Sequence, residues 1–139
     1  MEDKLKLIRG LQSQFKDIYV TGSIALLMQG VKLGRDIGDI DLVKTEFKAD
    51  FPYKLEQNHD YEPDDYHYRF EAEGLKVDLF FDDTPDWVSS FYKGHYYKII
   101  RKTVILSYKL EYALKGTGKQ QQDILYVLNK AIEDSTIPV

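Results

Sequence analysis

Three short groups of residues have the types and spacing to do chemistry together: Gly22-Ser23, Asp39-Ile40-Asp41 and Val77-Asp78-Leu79. Gly22-Ser23 joins the β-branched and aromatic run Ile18-Tyr19-Val20-Thr21 to the apolar run Ile24–Met28. A glycine there lets a phosphate approach the backbone, and the free N–H groups of a helix start attract anions. An ordinary N-cap has the same sequence. Asp39 and Asp41, two residues apart on a strand, point to one face roughly 6.5–7 Å from each other. Carboxylates so placed are costly unless a cation lies between them, and hard ions such as Mg²⁺ favour one or two carboxylates plus substrate phosphates. Two solvated acids at a strand end are the bland alternative. Asp78 is a lone charge in an apolar strand, which edge exposure would also explain. If its strand lies beside that of Asp39 and Asp41, the three acids converge on one site. Two metals about 3.5–4 Å apart could then activate a hydroxyl and stabilise a departing pyrophosphate.

The elements that must position these groups follow from periodicity and turn residues. Leu7, Ile8, Leu11 and Phe15 form one stripe of a helix over 3–15. Ile18–Thr21 reads as a buried strand, residues 24–28 as a short helix ending at Gly30, and 31–38 as a loop. Asp39–Val43 is the next strand, and 57–65 a polar, turn-rich stretch. Tyr66–Glu73 and Leu75–Phe81 form a hairpin around Glu73-Gly74, with Leu75, Val77, Leu79 and Phe81 opposite Lys76, Asp78 and Phe80. Residues 91–100 are aromatic and ambiguous, with a strand at Tyr96–Ile100 as one reading. Helices over 103–115 and 119–133 close the chain, their core stripes marked by Leu106, Leu110, Ala113 and by Ile124, Leu128, Ala131. The expected fold is α/β (α+β): a small mixed sheet, packed helices and two C-terminal helices in one domain spanning 1–139.

Composition bounds the chemistry. The 139 residues are 43% hydrophobic and 30% charged, as expected of a globular chain rather than a disordered one. There is no cysteine, which excludes disulfides, thiolate zinc sites and cysteine nucleophiles. No apolar run approaches a membrane span and Met-Glu-Asp-Lys is not a signal peptide, so the expected compartment is the cytoplasm. Net charge is −4, but residues 1–91 carry 11 Lys+Arg against 19 Asp+Glu and residues 92–139 carry 8 against 4. An acidic front and a basic tail suit carboxylates that hold metal beside a surface that meets phosphates. Chance scatter of surface charge produces the same sums.

The order Val20-Thr21-Gly22-Ser23, Asp39-Ile40-Asp41-Leu42, Val77-Asp78-Leu79 resembles the nucleotidyltransferase superfamily typified by DNA polymerase β. Lys109 and the segment Lys119-Gln120-Gln121-Gln122-Asp123-Ile124 are similar to the helices of small, toxin-like (AbiEii-type) bacterial nucleotidyltransferases. The resemblance covers roughly residues 17–128. It implies that Gly22 and Ser23 hold a nucleoside triphosphate, that Asp39 and Asp41 bind Mg²⁺ or Mn²⁺, and that Asp78 helps to activate the acceptor. It implies the same fold and transfer of a nucleoside monophosphate to a hydroxyl of RNA, protein or a small molecule, with pyrophosphate released. A catalytically silent nucleotide- or RNA-binding module, or one half of a toxin–antitoxin pair with an antitoxin-like partner, is the alternative. The fifteen residues 24–38 between Ser23 and Asp39 exceed the usual family spacing.

From the residues themselves, Lys109 falls at the edge of its stripe and Lys119 forms an i, i+4 pair with Asp123. Both could reach phosphate or snorkel at the surface. Arg35 reads as a solvated loop arginine that could touch phosphate. Gly116-Thr117-Gly118-Lys119 lacks the first glycine and final Ser/Thr of a Walker loop, and His59, His67 and His95 have no zinc spacing. The tyrosines, Tyr92, Tyr96 and Tyr97 among them, and Trp87 read as core and rim, though such rings also stack on bases.

Overall fold

The computed structural model describes residues 1–46, 51–57, 67–116 and 118–134. The polar stretch 57–65 lies outside this set apart from Gln57, as do Tyr66 and Thr117. Helix α1, Glu2–Gln14, buries Leu5, Leu7, Ile8 and Leu11, and its first turn carries Glu2 and Asp3, which suits the positive end of a helix dipole. The Gln12 carboxamide donates to the carbonyls of Ile18 and Lys98 (3.0 and 2.8 Å), fixing the helix across two strands. Strand β1, Ile18–Thr21, runs without a loop into α2, Gly22–Met28.

Five further strands, β2 (Ile40–Lys44), β3 (Glu56–Gln57), β4 (His67–Ala72), β5 (Leu75–Phe81) and β7 (His95–Ile100), join β1 and β6 (Trp87–Tyr92) in one sheet. Its order is β3-β4-β5-β2-β1-β7-β6. The sheet is mixed: β2 runs antiparallel to β1 but parallel to β5, and β1 runs parallel to β7. The α/β expectation holds, on a sheet wider than a small one. The ambiguous aromatic stretch is a second hairpin, β6–β7, whose first strand was not expected.

Both hairpins turn on two residues with positive φ, Glu73-Gly74 (53° and 77°) and Lys93-Gly94 (46° and 89°). That is the geometry which matches strand twist, and glycine at the second position lowers its cost. Opposed residues share a face, so two rows cross the sheet. One contains Thr21, Asp41, Asp78 and Arg69; the next contains Tyr19, Val43, Phe80 and His67. The opposite face carries Val20, Leu42, Leu79, Ile40 and Val77, all fully buried, and forms the core with α1 and α2.

Helices α3, Lys102–Leu114, and α4, Gly118–Asp134, pack on each other, and α3 also touches α2. Their expected stripes are corrected here. In α3 the buried residues are Ile105 and Lys109, while Leu110 is 48% exposed. In α4 only Asp123 is buried, and Leu128 is 54% exposed. Asp123 and Leu128 lie about 140° apart on a helix, so turning the acid inward turns the leucine out. Hydrophobic periodicity assigns charge to the outside, and a buried Lys–Asp pair defeats it.

Candidate active site

Each acid is placed by its strand. Asp41 and Asp78 are direct partners in the parallel β2–β5 pair, so the strand of Asp78 does lie beside that of Asp41. Asp39 stands one residue before β2 and is exposed. Gly22, at the β1–α2 junction, has φ +66°, and a Cβ there would lie 2.2 Å from Asp41 Oδ2. Only glycine lets the Asp41 carboxylate rest against that turn.

The three carboxylates differ in their surroundings. Burial and the charge of Asp78 push Asp41 up to about 7, against the pull of Lys109 and Lys119. Among the described residues nothing hydrogen-bonds to Asp41. Burial would also raise Asp78, but the close approach of His67 and the hydrogen bond from Arg69 outweigh it and hold the group below the ordinary carboxylate range. Arg69 Nε donates to Asp78 Oδ1 at 2.9 Å, and His67 Nε2 lies 3.4 Å from the same oxygen. The other end of Arg69 is 3.9 Å from Asp39 Oδ2. A resident arginine thus bridges the two outer acids, and among the described residues no three His, Asp or Glu side chains form a ready cage for an ion.

A cleft of about 490 Å³ opens between this face and α3. Thr21, Gly22, Asp41, Val43, His67 and Phe80 line its floor, and Ile105, Tyr108, Lys109 and Tyr112 its wall. That volume is within the usual range for a small-molecule site. Lys109 is 7% exposed, correcting both the edge-of-stripe position and the snorkelling alternative. Its ammonium donates to Asp123 Oδ2 (2.9 Å) and Gln120 Oε1 (3.0 Å).

Asp123, 1% exposed, does not pair with Lys119. Arg35 grips it with two hydrogen bonds of 2.7 Å and donates to Ser23 Oγ at 3.2 Å. Burial would raise Asp123; bonds from Arg35 and Lys109 win and lower it. Arg35 is therefore a structural tie between loop 31–38, α2 and α4, not a solvated loop residue. Lys119 is exposed, with its ammonium 3.9 Å from where a Gly38 Cβ would sit. Its charge reaches Asp41, though it does not line the cleft. Ser23 faces a second hollow, of about 600 Å³, together with Arg35 and Tyr126.

The structure thus brings Gly22, Asp41 and Lys109 to one cleft with Asp78 alongside. Asp39 and Lys119 are exposed and do not line it, and Ser23 is held by Arg35. Sequence reasoning missed Arg69, His67 and the inward role of Asp123. The first two were within reach: a turn at Glu73-Gly74 pairs residue 69 with 78 and 67 with 80.

No protein-family model matches the chain, and no curated protein matches it in sequence. A crystal structure of a "putative nucleotidyltransferase" from Thermotoga maritima is similar to it, with a TM-score of 0.58 and 14% identity. The match covers 96% of this chain and 94% of the other. At that identity the likeness establishes a shared fold, the nucleotidyltransferase-like one.

Proposed function

We propose that the chain transfers a nucleoside monophosphate from a nucleoside triphosphate to a hydroxyl, releasing pyrophosphate. The observation that carries this is the register of Asp41 beside Asp78, with Asp41 pressed against the Gly22 turn in a cleft walled by Lys109. The acceptor oxygen forms a bond to the α-phosphorus, the bond from that phosphorus to the bridging oxygen breaks, and the hydroxyl proton leaves through the carboxylate row to water. Gly22 presents its backbone to the triphosphate at the cleft floor, and Ser23, buried and held by Arg35, fixes the start of α2 behind it. Lys109, oriented by Asp123, neutralises phosphate charge, and Lys119 adds to the field from outside.

The donor set fits a hard divalent ion. Asp41 is a half-buried carboxylate with no hydrogen-bond donor among the described residues, Asp39 is next but one on the same side, and only oxygen is offered. Asp39 and Asp41 would hold Mg²⁺ or Mn²⁺, which when bound supplies charge neutralisation at the transferring phosphate. Asp78, ion-paired with Arg69, serves the acceptor side. The finer likeness to toxin-like enzymes is carried by the sequence at Lys109 and Lys119-Gln120-Gln121-Gln122-Asp123-Ile124.

A second reading, a non-catalytic nucleotide-binding module, is favoured by Arg69, which already occupies the gap between Asp39 and Asp78. Pyrophosphate release separates the two. Each of the four triphosphates is incubated with Mg²⁺ or Mn²⁺ and total cellular RNA and protein. Metal-dependent release that Asp41→Asn abolishes is expected. Metal-dependent thermal stabilisation by a triphosphate without release would favour the binding module.

A further inference from the structure

Two cations share one anion beside the cleft. Asp123 is buried, and Arg35 Nε and Nη2 donate to its two carboxylate oxygens, both at 2.7 Å. Lys109 shares Oδ2 with the arginine, at 2.9 Å. Of the three, only Lys109 lines the cleft, while Arg35 lines the second hollow. The cluster therefore carries one net positive charge. The placement of Arg35 is built from both sides. Gly34, with φ +72°, lies so close to Tyr126 on α4 that a Cβ would come 2.3 Å from the ring. Beyond Arg35, the Lys4 ammonium on α1 donates to the carbonyls of Ile37 and Gly38. The planar guanidinium fork so delivered matches both oxygens of a carboxylate, which a lysine ammonium does not.

Charge balance decides what Lys109 can offer a ligand. With Asp123 to itself, Lys109 would be half of a neutral ion pair, and its attraction for phosphate would be largely cancelled. Arg35 takes both oxygens of Asp123, so the anion is shared and the positive excess is left to the cleft. An ammonium has three N–H groups to donate. Lys109 gives one to Asp123 and one to Gln120, and the third has no acceptor among the described residues. The charge of Lys109 is felt on the cleft floor, where it pulls Asp41 downward.

We infer that Arg35 is a positioning residue for triphosphate: by holding Asp123 it releases the charge of Lys109 to the phosphates, although it does not itself line the cleft. The inference rests on the cleft taking a triphosphate, as it does in both readings above, and not on the transfer.

Calorimetric titration of the intact chain with each of the four nucleoside triphosphates and Mg²⁺ tests it, the tightest binder then being carried through the variants. Arg35→Gln should lose about tenfold in affinity, as expected when one charge is removed beside a partly buried phosphate site, and part of its salt dependence with it. Arg35→Lys keeps the charge without the fork and should fall between Arg35→Gln and wild type. The double variant Arg35→Gln/Asp123→Asn removes a cation together with the anion, so the positive excess returns to Lys109. Its affinity should recover to within about threefold of wild type, a coupling that only interacting residues show. If Arg35 were no more than a tie between loop and helix, the double variant would bind no better than Arg35→Gln. That result, or Arg35→Gln binding as wild type does, would overturn the inference. Circular dichroism checks that each variant folds. Should the double variant not fold, the order of Arg35→Lys and Arg35→Gln decides, and equal affinity and salt dependence in the two would overturn it. If wild type binds none of the four triphosphates, the proposed function falls and this inference with it. If wild type binds and the variants rank otherwise, only the role of Arg35 falls.

Discussion

At the scale of single residues, the site is defined by which charges are compensated. Asp123 is buried and satisfied by Arg35 and Lys109, so Asp123→Asn leaves two cations short of a partner. A loss of roughly 3–5 kcal/mol in urea unfolding is expected, as when one partner of a buried ion pair is removed. Lys109→Met should cost less, because Arg35 still holds Asp123, yet it should abolish stabilisation by triphosphate. The sign of the pH effect differs between acids. Asp123 and Asp78 are depressed in the folded state, so they stabilise above the unfolded carboxylate range and that contribution disappears as pH falls through their folded values. Asp41 is raised to about 7, so the folded state binds its proton more tightly and stability declines as pH climbs from about 4 toward 7. In the absence of divalent metal, Asp41→Asn should therefore melt several degrees above wild type at pH 8 and level with it at pH 4. A variant less stable at both pH values would refute that assignment.

Elements decide whether these residues can meet. The β1–α2 junction works only with glycine: Gly22→Ala meets Asp41 at 2.2 Å on a backbone with φ +66°. A cost of about 1–3 kcal/mol and loss of triphosphate-dependent thermal stabilisation are expected. This junction, the β4–β5 hairpin and the Asp39–Asp41 strand were legible because glycine, alternation and short turns are local signals. The phases of α3 and α4 were not, since Lys109 and Asp123 are buried only because each finds the other across two helices. Arg35 lay in the same blind spot, its partner 88 residues away. Strand β6 was missed although Lys93-Gly94 between aromatic runs is a hairpin signal of the kind recognised at Glu73-Gly74.

Across the whole molecule, the β1–β2 and β2–β5 pairings bring the Gly22 turn, Asp41 and Asp78 together, and the cleft forms where α3 covers this part of the sheet. The charge asymmetry read from the sequence acquires a location. The basic part, residues 92–139, supplies Lys109 to the cleft wall, while Asp41, Asp82 and Asp86 of the acidic part line the same cleft. Raising salt should weaken binding of a triphosphate more than it weakens folding, which calorimetric titration and thermal melts run in parallel at about 50 and 200 mM salt will show. The fold neighbour from Thermotoga maritima shares this architecture over nearly its full length, so the account turns on what the row of acids does. The most direct measurement compares triphosphate labelled at the α-phosphate with the same nucleotide labelled at the γ-phosphate, in the presence of Mg²⁺ or Mn²⁺ and cellular acceptors. The α label should pass to the acceptor, the γ label should leave as pyrophosphate, and Asp41→Asn should do neither. Transfer of the γ label, or α-label transfer undiminished in Asp41→Asn, would contradict the account.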